Sequence, residues 1–577
     1  MQYKQTLVVL LMLCLPVLLF SQTTTYLPQG ARETILLERL EIKAGKDSVL
    51  NFSKTKPFSR RKFIQVIEQY YRAASPVSGP PELSRTLDTV IFDRQQFPVR
   101  MTDVDLYNAQ LALQKNNEFS SIQFQSKKPF LKRFYQTPAN FYEVNTEDFF
   151  LSVNPVFQYV VGKERNSSEH IFQNSRGVSL RGMIANKIGF TAYATDNQER
   201  DPAYVQQWVT ERQAVPGAGY YKNFKGTGYD YLDARGTITF NAAKYIDISF
   251  GYDKNFIGNG YRSLYLSDFS NNALFLRLNT RIWKLNYQNL FMELVNAHGR
   301  GGDVLLGKKY ATIHHLDIGV TKWLNIGLFE AIVFGRENRF EFGYLNPVIF
   351  YRAIEQQNGS ADNAMTGVDF KANVAKKFQF YGQLLLDELK ISELSKSWWA
   401  NKFGLQLGGK YIDAFGVQNL DLQAEYNRVR PFTYSHYDSV ANFTHDNQPL
   451  AHPLGASFNE VFGQLRYQFA PRWMFQAMAV AYKQGRDTSA ENFGSNIFLP
   501  NRIGLRRAEY GYSIGLPVST NVSYASLLLS YEWKPNLFLE ANAVFRKQGA
   551  YAANPEKNTA VFYAGIRWNM HRREFPF

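Results

Sequence analysis

The sequence predicts a membrane β-barrel of about 18 antiparallel strands, within a range of 16–20, preceded by a small α-helical N-terminal domain. Three observations predict it. From about Phe149 the hydrophobic period is two, in runs of about ten residues, the length that crosses a bilayer at a tilt. Tight turns and longer polar loops alternate through the same region. Aromatics are abundant (35 Tyr, 46 Phe) while only 20% of the 577 residues are charged, which suits an all-β surface facing a nonpolar medium.

The chain opens on a targeting segment. Lys4 precedes an apolar run from Leu7 to Phe20, broken only at Pro16. It is too short for a spanning helix and suits a signal-peptide core. Leu19 and Ser21 set a cleavage site before Gln22, so 1–21 reads as signal peptide and the destination as the outer membrane of a Gram-negative bacterium. The single cysteine, Cys14, lies in this run, and Leu13 before it does not fit a lipoprotein signal. The mature chain then has no thiol, which excludes disulfides and Cys-ligated metals. No later stretch reaches 18 apolar residues, so a membrane is crossed with strands.

Residues 22–140 read as a helical domain, periplasmic or plugging the barrel. In "SRRKFIQVIEQYYRAA", Phe63, Ile64, Ile67, Tyr70 and Tyr71 share one helical face, with Ser59 as N-cap. "SPVSGPPELS" (75–84) is a turn-rich break. "TDVDLYNAQLALQKN" (102–116) begins on Thr102 with Asp103 and Asp105 in its first turn, as a helix start does.

Residues 141–577 form the barrel. In "YIDISFGYD", Ile246, Ile248, Phe250 and Tyr252 oppose Asp247, Ser249, Gly251 and Asp253. In "NLDLQAEYN", Leu420, Leu422, Ala424 and Tyr426 oppose Asp421, Gln423, Glu425 and Asn427. "EVFGQLRYQF" repeats the pattern. Tight turns fall near Asn186, Ala243, Trp283, Lys322, Lys376, Ala470 and Lys534, with a slightly longer one at 411–416. Nine longer loops alternate with them, at 161–173, 197–231, 255–271, 297–307, 337–365, 390–398, 429–456, 484–521 and 547–557. Nine loops and eight turns join eighteen strands. The stretch around 508–515 also reads as a strand, yet falls inside a loop of this count. In the last strand, "YAGIRWNM" sets Tyr563, Gly565, Trp568 and Met570 at the spacing of a closing-strand signal, which the barrel assembly machinery reads. The spacing sits seven residues short of Phe577.

The remaining motifs carry little chemistry. "GDVLLGKK" (302–309) matches most of a phosphate-binding loop, but Lys309 stands where Ser or Thr should hold Mg²⁺, and a strand follows where a helix is needed. His314 and His315 are adjacent, so on a strand they point to opposite faces. His436, His445 and His452 share one loop with Asp438 and Asp446 and read as solvated. No catalytic constellation, cofactor motif or metal site stands out, and the chain reads as a non-enzyme. The formal net charge of +15 is spread over strand ends, turns and loops. That suits contact with anionic lipid headgroups rather than nucleic acid.

"NFIGNGYRSLYLSDFS" (255–270), "ENRFEFGYLNPVIFY" (337–351), "LPQGARETILLERLEIKAG" and "KPFSRRKF" carry a resemblance to a family. With the signal peptide, helical segment and barrel, the chain resembles the Wzi-type capsule-assembly outer-membrane proteins, and more closely the gliding-motility RemB-like proteins. The resemblance implies a surface barrel, largely filled inside, that engages exopolysaccharide or supports adhesion and gliding motility. Its partners would be outer-membrane lipid, surface polysaccharide and gliding or secretion proteins. A sugar-selective or general porin is the alternative, and an outer-membrane lipase or protease a third reading, disfavoured by the missing triad.

Sugar rings bind on aromatic faces with polar groups around them. The loop side offers Tyr261 with Arg262, Trp208 with Tyr204, Tyr220 with Tyr221, and Tyr344 with Asn346, expected to converge over one barrel mouth. Arg262 and Arg352 would favour an acidic polymer. Gly258 and Gly260 allow an unusual backbone beside Tyr261, and Arg262 is expected to pair with Asp268 and pin the loop.

Overall fold

The computed structural model describes residues 23–28, 30–74, 99–126, 129–299, 303–348, 350–359, 362–506, 508–551 and 554–577. The signal-peptide segment and the turn-rich break at 75–84 lie outside them.

Three helices come first: α1 (Arg32–Ala44), α2 (Arg60–Ala74) and α3 (Asp103–Lys115). Each stops and starts for a local reason. Gly45, at φ 66°, closes α1 in the left-handed region that glycine enters without strain. The Ser59 hydroxyl accepts the Lys62 N–H at the start of α2. Thr102 and Asp105 exchange side-chain and backbone hydrogen bonds in a capping box at α3. Phe63, Ile64, Ile67 and Tyr70 bury one face of α2 against Leu36, Leu40 and Leu113.

Eighteen strands then close an antiparallel barrel. They are β1 (Phe149–Glu164), β2 (His170–Ile184), β3 (Ile188–Arg200), β4 (Gly228–Ala243), β5 (Ile246–Asp253) and β6 (Ala273–Ile282). Next come β7 (Leu285–Val295), β8 (Lys308–Gly319), β9 (Leu324–Phe334), β10 (Asn363–Val374), β11 (Phe378–Glu388) and β12 (Lys402–Tyr411). The last six are β13 (Leu420–Val429), β14 (Phe458–Ala470), β15 (Trp473–Arg486), β16 (Val518–Lys534), β17 (Leu537–Gln548) and β18 (Lys557–Trp568). The loops carry α4 (Ala203–Arg212) and α5 (Tyr351–Gln357). β18 pairs with β1, Trp568 opposite Phe157 and Val561 opposite Glu164, so no strand edge is left open. The turn and loop pattern of the sequence is present throughout. Around 508–515 there is no strand: Tyr512 packs instead on Phe432, with ring centroids 5.0 Å apart, inside the β15–β16 loop. The first loop is shorter than its estimate because β1 and β2 continue past the membrane-facing run to Glu164 and from His170.

Alternation sorts the two faces. Phe250, Tyr252, Leu407 and Val461 face outward and are exposed, while Asp421, Gln423, Glu425 and Asn427 are buried inside. Trp283, Trp323, Phe415, Phe469, Trp473 and Trp533 ring the turn end on the outside, as an aromatic girdle does.

The helices sit in the turn end of this barrel. Thr23, Asn51 and Lys115 hydrogen-bond to Asn186, Lys322 and Asn536 in three different turns. Buried ion pairs bind the helices to the wall. Arg39 reaches Asp413 at 2.8 Å and also pairs with Asp421, Lys410 meets Glu38 at 3.1 Å, and Arg181 meets Glu118 at 2.8 Å. Burial raises the Asp105 pKa, but Arg39 and Lys43 outweigh it and hold the carboxyl at about 2, so it stays ionised on its two cations.

Candidate functional site

The stretch 254–272, between β5 and β6, does not stand above the barrel. It runs through the lumen and meets the N-terminal domain: Phe256–Ile257 pairs antiparallel with Thr55–Lys56. The two glycines make this close approach possible. Gly258 has φ 148°, and its N–H donates to the Lys54 carbonyl at 2.8 Å; a Cβ there would meet Gln383 Nε2 at 2.9 Å. A Cβ on Gly260 would lie 3.0 Å from Glu425 Oε1, the carboxylate that accepts the N–H groups of Tyr261 and Arg262.

Arg262 does not pair with Asp268. Its guanidinium is buried against Glu460 of β14 at 3.3 Å, and Glu460 also accepts from Asn427 at 3.1 Å and lies 2.9 Å from His452 Nε2. The expected acid partner was the nearest in sequence; the lumen instead brings a carboxylate from the opposite wall, which a single-sequence reading cannot locate. Arg262 is a staple all the same, because it also donates to the Pro576 carbonyl at 2.6 Å.

That contact belongs to a second filling element. After Trp568 ends β18, residues 569–577 turn back into the lumen. Arg572 pairs with Glu540 at 2.5 Å and Arg573 with Glu199. Tyr204 donates to the Phe575 carbonyl at 3.1 Å, and Arg546 to that of Phe577 at 2.9 Å. The closing-strand spacing starts ahead of this fold-back. Tyr563, Gly565 and Trp568 are in β18, and Met570 is buried beyond it.

The structure brings four of the sequence candidates together. Tyr261 stacks on Phe462 at 4.4 Å with its other side towards Arg262, and Tyr204 and Trp208 of α4 both pack on Phe577, at 6.1 and 5.7 Å. Tyr221 packs on Tyr229, while Tyr220 is exposed. Tyr344 and Asn346 lie elsewhere, in the β9–β10 loop; Tyr344 is wholly buried with its hydroxyl on Asp362 at 2.6 Å. Tyr204, Trp208, Tyr261 and Arg262 therefore meet inside the lumen rather than over a barrel mouth, and Tyr344 and Asn346 do not join them, their loop lying on the outside of the barrel. The histidines do not gather either. His298 pairs with Asp446 at 2.8 Å and His445 caps the Val295 N–H, and no metal-ligand cluster occurs among the described residues. Lys309 belongs to strand β8, its ammonium held by Asn442 and Thr444.

Between the helices, the lumen loop and the tail lies a cavity of about 590 Å³, within the usual range of small-molecule sites. Fourteen Arg and Lys side chains line it against five Asp and Glu. Many of these cations are paired. Five of them, Lys56, Arg60, Lys254, Arg277 and Arg472, have no ion-pair partner among the described residues. Lys56 lies over the Phe256 ring at 4.7 Å and Arg277 over Tyr26 at 4.3 Å, while Lys254 donates only to the Asp268 carbonyl at 3.0 Å. Burial, reinforced by Arg235, lowers the Lys254 pKa to about 8. Sequence reasoning missed these three. They are single basic residues in strand ends and loops, and only the packed lumen shows that they share a space.

Against known proteins, residues 241–544 match the family model of the capsule assembly protein Wzi. No curated protein matches the chain. Among solved structures, it is similar to Wzi of Escherichia coli, described as an outer-membrane protein involved in group 1 capsule assembly and a carbohydrate-binding β-barrel. Identity is 12%, with 96% of this chain and 100% of that one covered and a TM-score of 0.52. OprD of Pseudomonas aeruginosa is 11% identical over 72% of this chain and 94% of its own, with a TM-score of 0.41.

Proposed function

The chain belongs to the Wzi family of capsule assembly proteins, and from that premise we propose that it is an outer-membrane barrel that holds an acidic surface polysaccharide in its lumen. The observation that carries this is the trio Lys56, Lys254 and Arg277, the lysines half-buried and the arginine buried, none with an ion-pair partner among the described residues and all facing one cavity beside aromatic rings. Removing a charge from water is costly unless a partner compensates. A carboxylate-bearing sugar supplies that partner through charge-assisted hydrogen bonds, and its ring C–H groups pack beside Tyr261 and Tyr26, which line the cavity. We read the protein as a binder rather than a catalyst. Adhesion and gliding motility, the other half of the sequence resemblance, rest in this reading on the same polymer contact. A porin would need a continuous aqueous path, and the helices in the turn end, the 254–272 segment and the 569–577 tail all argue for a filled lumen.

The test uses purified barrel in detergent with two probes, oligomers of glucuronic acid and dextran oligomers of equal length. We expect the glucuronate to bind and dextran not. Lys254→Gln and Arg277→Gln should each weaken glucuronate binding about tenfold, as loss of one charge-assisted contact does. Binding should also fall between pH 7 and 9. Lys254 is cationic below its pKa of about 8 and loses its charge as pH rises through it, and Lys254→Gln should remove that dependence. Equal binding of dextran, or variants that bind glucuronate as the parent does, would overturn the proposal.

A further inference from the structure

The outer wall breaks its own rule in one sector. One hydrogen-bonding row of outward residues reads Tyr287, Leu316, Leu328, Val368 and Leu384, an apolar belt. The next outward row towards the loop end reads Asn289, His314 and Glu330. Thr312 also faces outward, beside Phe291 and Ile332. His314 is the seventh of the twelve residues of β8, so this polar row lies at mid-height, where the wall of a membrane barrel should meet hydrocarbon. Yet Asn289, Thr312, His314 and Glu330 are all buried.

The cover is the β9–β10 loop, which folds down the outside of the barrel. Tyr351 lies against His314, with ring centroids 3.9 Å apart, and the Arg352 N–H donates to Glu330 at 3.2 Å. The Tyr287 hydroxyl donates to the Pro347 carbonyl at 2.6 Å, so the tip of the loop reaches the apolar row below. Tyr310, Phe334 and Tyr344 pack together under its upper part. The side of the loop turned away from the wall carries Phe342, Val348 and Phe350, exposed by 78%, 84% and 74%, with Leu345 beside them.

We propose that this loop is a flap embedded in the bilayer, and that acyl chains of the membrane lipid are what cover Phe342, Leu345, Val348 and Phe350. The flap takes over the apolar belt in the sector where the wall itself is polar. Its exposed apolar residues add to the apolar row that Leu328 and Val368 present below it, and without it Glu330 and His314 would face hydrocarbon, where ionisable groups are disfavoured. A loop that topology assigns to the outside of the cell is therefore sunk beside the barrel, and the wall behind it is sealed by side chains rather than by lipid.

The experiment places single cysteines at Val348 and Phe350 in a Cys14→Ser background. Each carries a nitrobenzoxadiazole fluorophore, and the protein is reconstituted in phosphatidylcholine vesicles containing doxyl-labelled acyl chains. Val368→Cys is the lipid-facing control and Lys390→Cys the aqueous one. Quenching by the doxyl chains at 348 and 350 equal to that at 368, with little quenching by aqueous iodide, is the expected result. Iodide quenching equal to that at 390 would place the flap in water and overturn the proposal. Protection from both quenchers would overturn it in favour of protein, a second copy in the bilayer, as the cover.

Discussion

Lys54 holds the helical domain in the barrel, and removing its charge should loosen that domain by a large, measurable amount. The residue precedes the Thr55–Lys56 strand, and its ammonium bridges two wall strands that flank β9. It reaches Asp317 of β8 at 3.0 Å and Asp369 of β10 at 2.5 Å, with the lysine side chain 1% exposed. Asp369 also lies 2.8 Å from His315 Nε2, and Asp317 accepts from Asn325 at 3.2 Å. Lys54→Met keeps the length of the side chain and leaves two buried carboxylates without their cation. Breaking a buried pair on one side costs about 3–5 kcal/mol, a factor on the order of a hundred to several thousand in an opening equilibrium. Hydrogen exchange of the α1 amides in detergent reads that equilibrium directly. Protection of α1 should fall by that factor while the barrel strands far from β8 and β10 keep theirs. Adding Asp317→Asn should recover part of the loss, since one uncompensated charge is then gone. Unchanged α1 protection in Lys54→Met would refute the reasoning: the wall carboxylates would then be hydrated well enough to need no cation.

Two further outcomes follow from the barrel itself. Gly565→Asp should abolish the heat-modifiable mature barrel, because a Cβ at 565 would lie 2.4 Å from the Tyr159 carbonyl across the closing seam; normal barrel levels on a semi-native gel would count against a seam this tight. In a Cys14→Ser background, a cysteine at Lys390 in a long loop should label on intact cells with an impermeant maleimide, and one at Lys322 in a short turn should not; the reverse pattern would invert the orientation.

The barrel was legible because its signal is repeated. Period-two alternation in "NLDLQAEYN" is weak evidence alone, but eighteen such runs, separated by alternating short and long connections, leave one architecture. The caps of α2 and α3 were readable for the opposite reason: Ser59, Thr102 and Asp105 act on backbone groups within three residues. What the sequence hid is what the closed barrel creates. Arg262 and Glu460 are 198 residues apart, as are the ends of no local motif, and they meet only because β14 and the 254–272 loop share a lumen. The polar row of Asn289, His314 and Glu330 breaks the inside-outside rule in three different strands, one residue in each. A pattern search discounts such singletons as noise, although together they mark where the flap lies.

The stretches that carry the family resemblance are also those that meet inside. "KPFSRRKF" begins at the Lys56 that pairs with Phe256, and the loop that follows, with Gly258, Gly260 and Ser263, is held by carboxylate and amide side chains of the wall. A barrel of this diameter leaves a lumen that water fills unless protein does. Here the wall presents charges inward, and the filling elements arrive with the opposite charges: Arg39 and Lys54 from the N-terminal domain, Arg572 and Arg573 from the tail. The N-terminal domain and the tail are thus anchored by their own ion pairs, while the 254–272 segment packs Ile257, Leu264, Tyr265 and Leu266 on apolar wall residues such as Phe275, Leu290 and Phe329. The three bodies touch where Phe256–Ile257 pairs with Thr55–Lys56 and where Arg262 meets the Pro576 carbonyl. The space left between these contacts is the cavity, and the proposed ligand would meet the cations that line it.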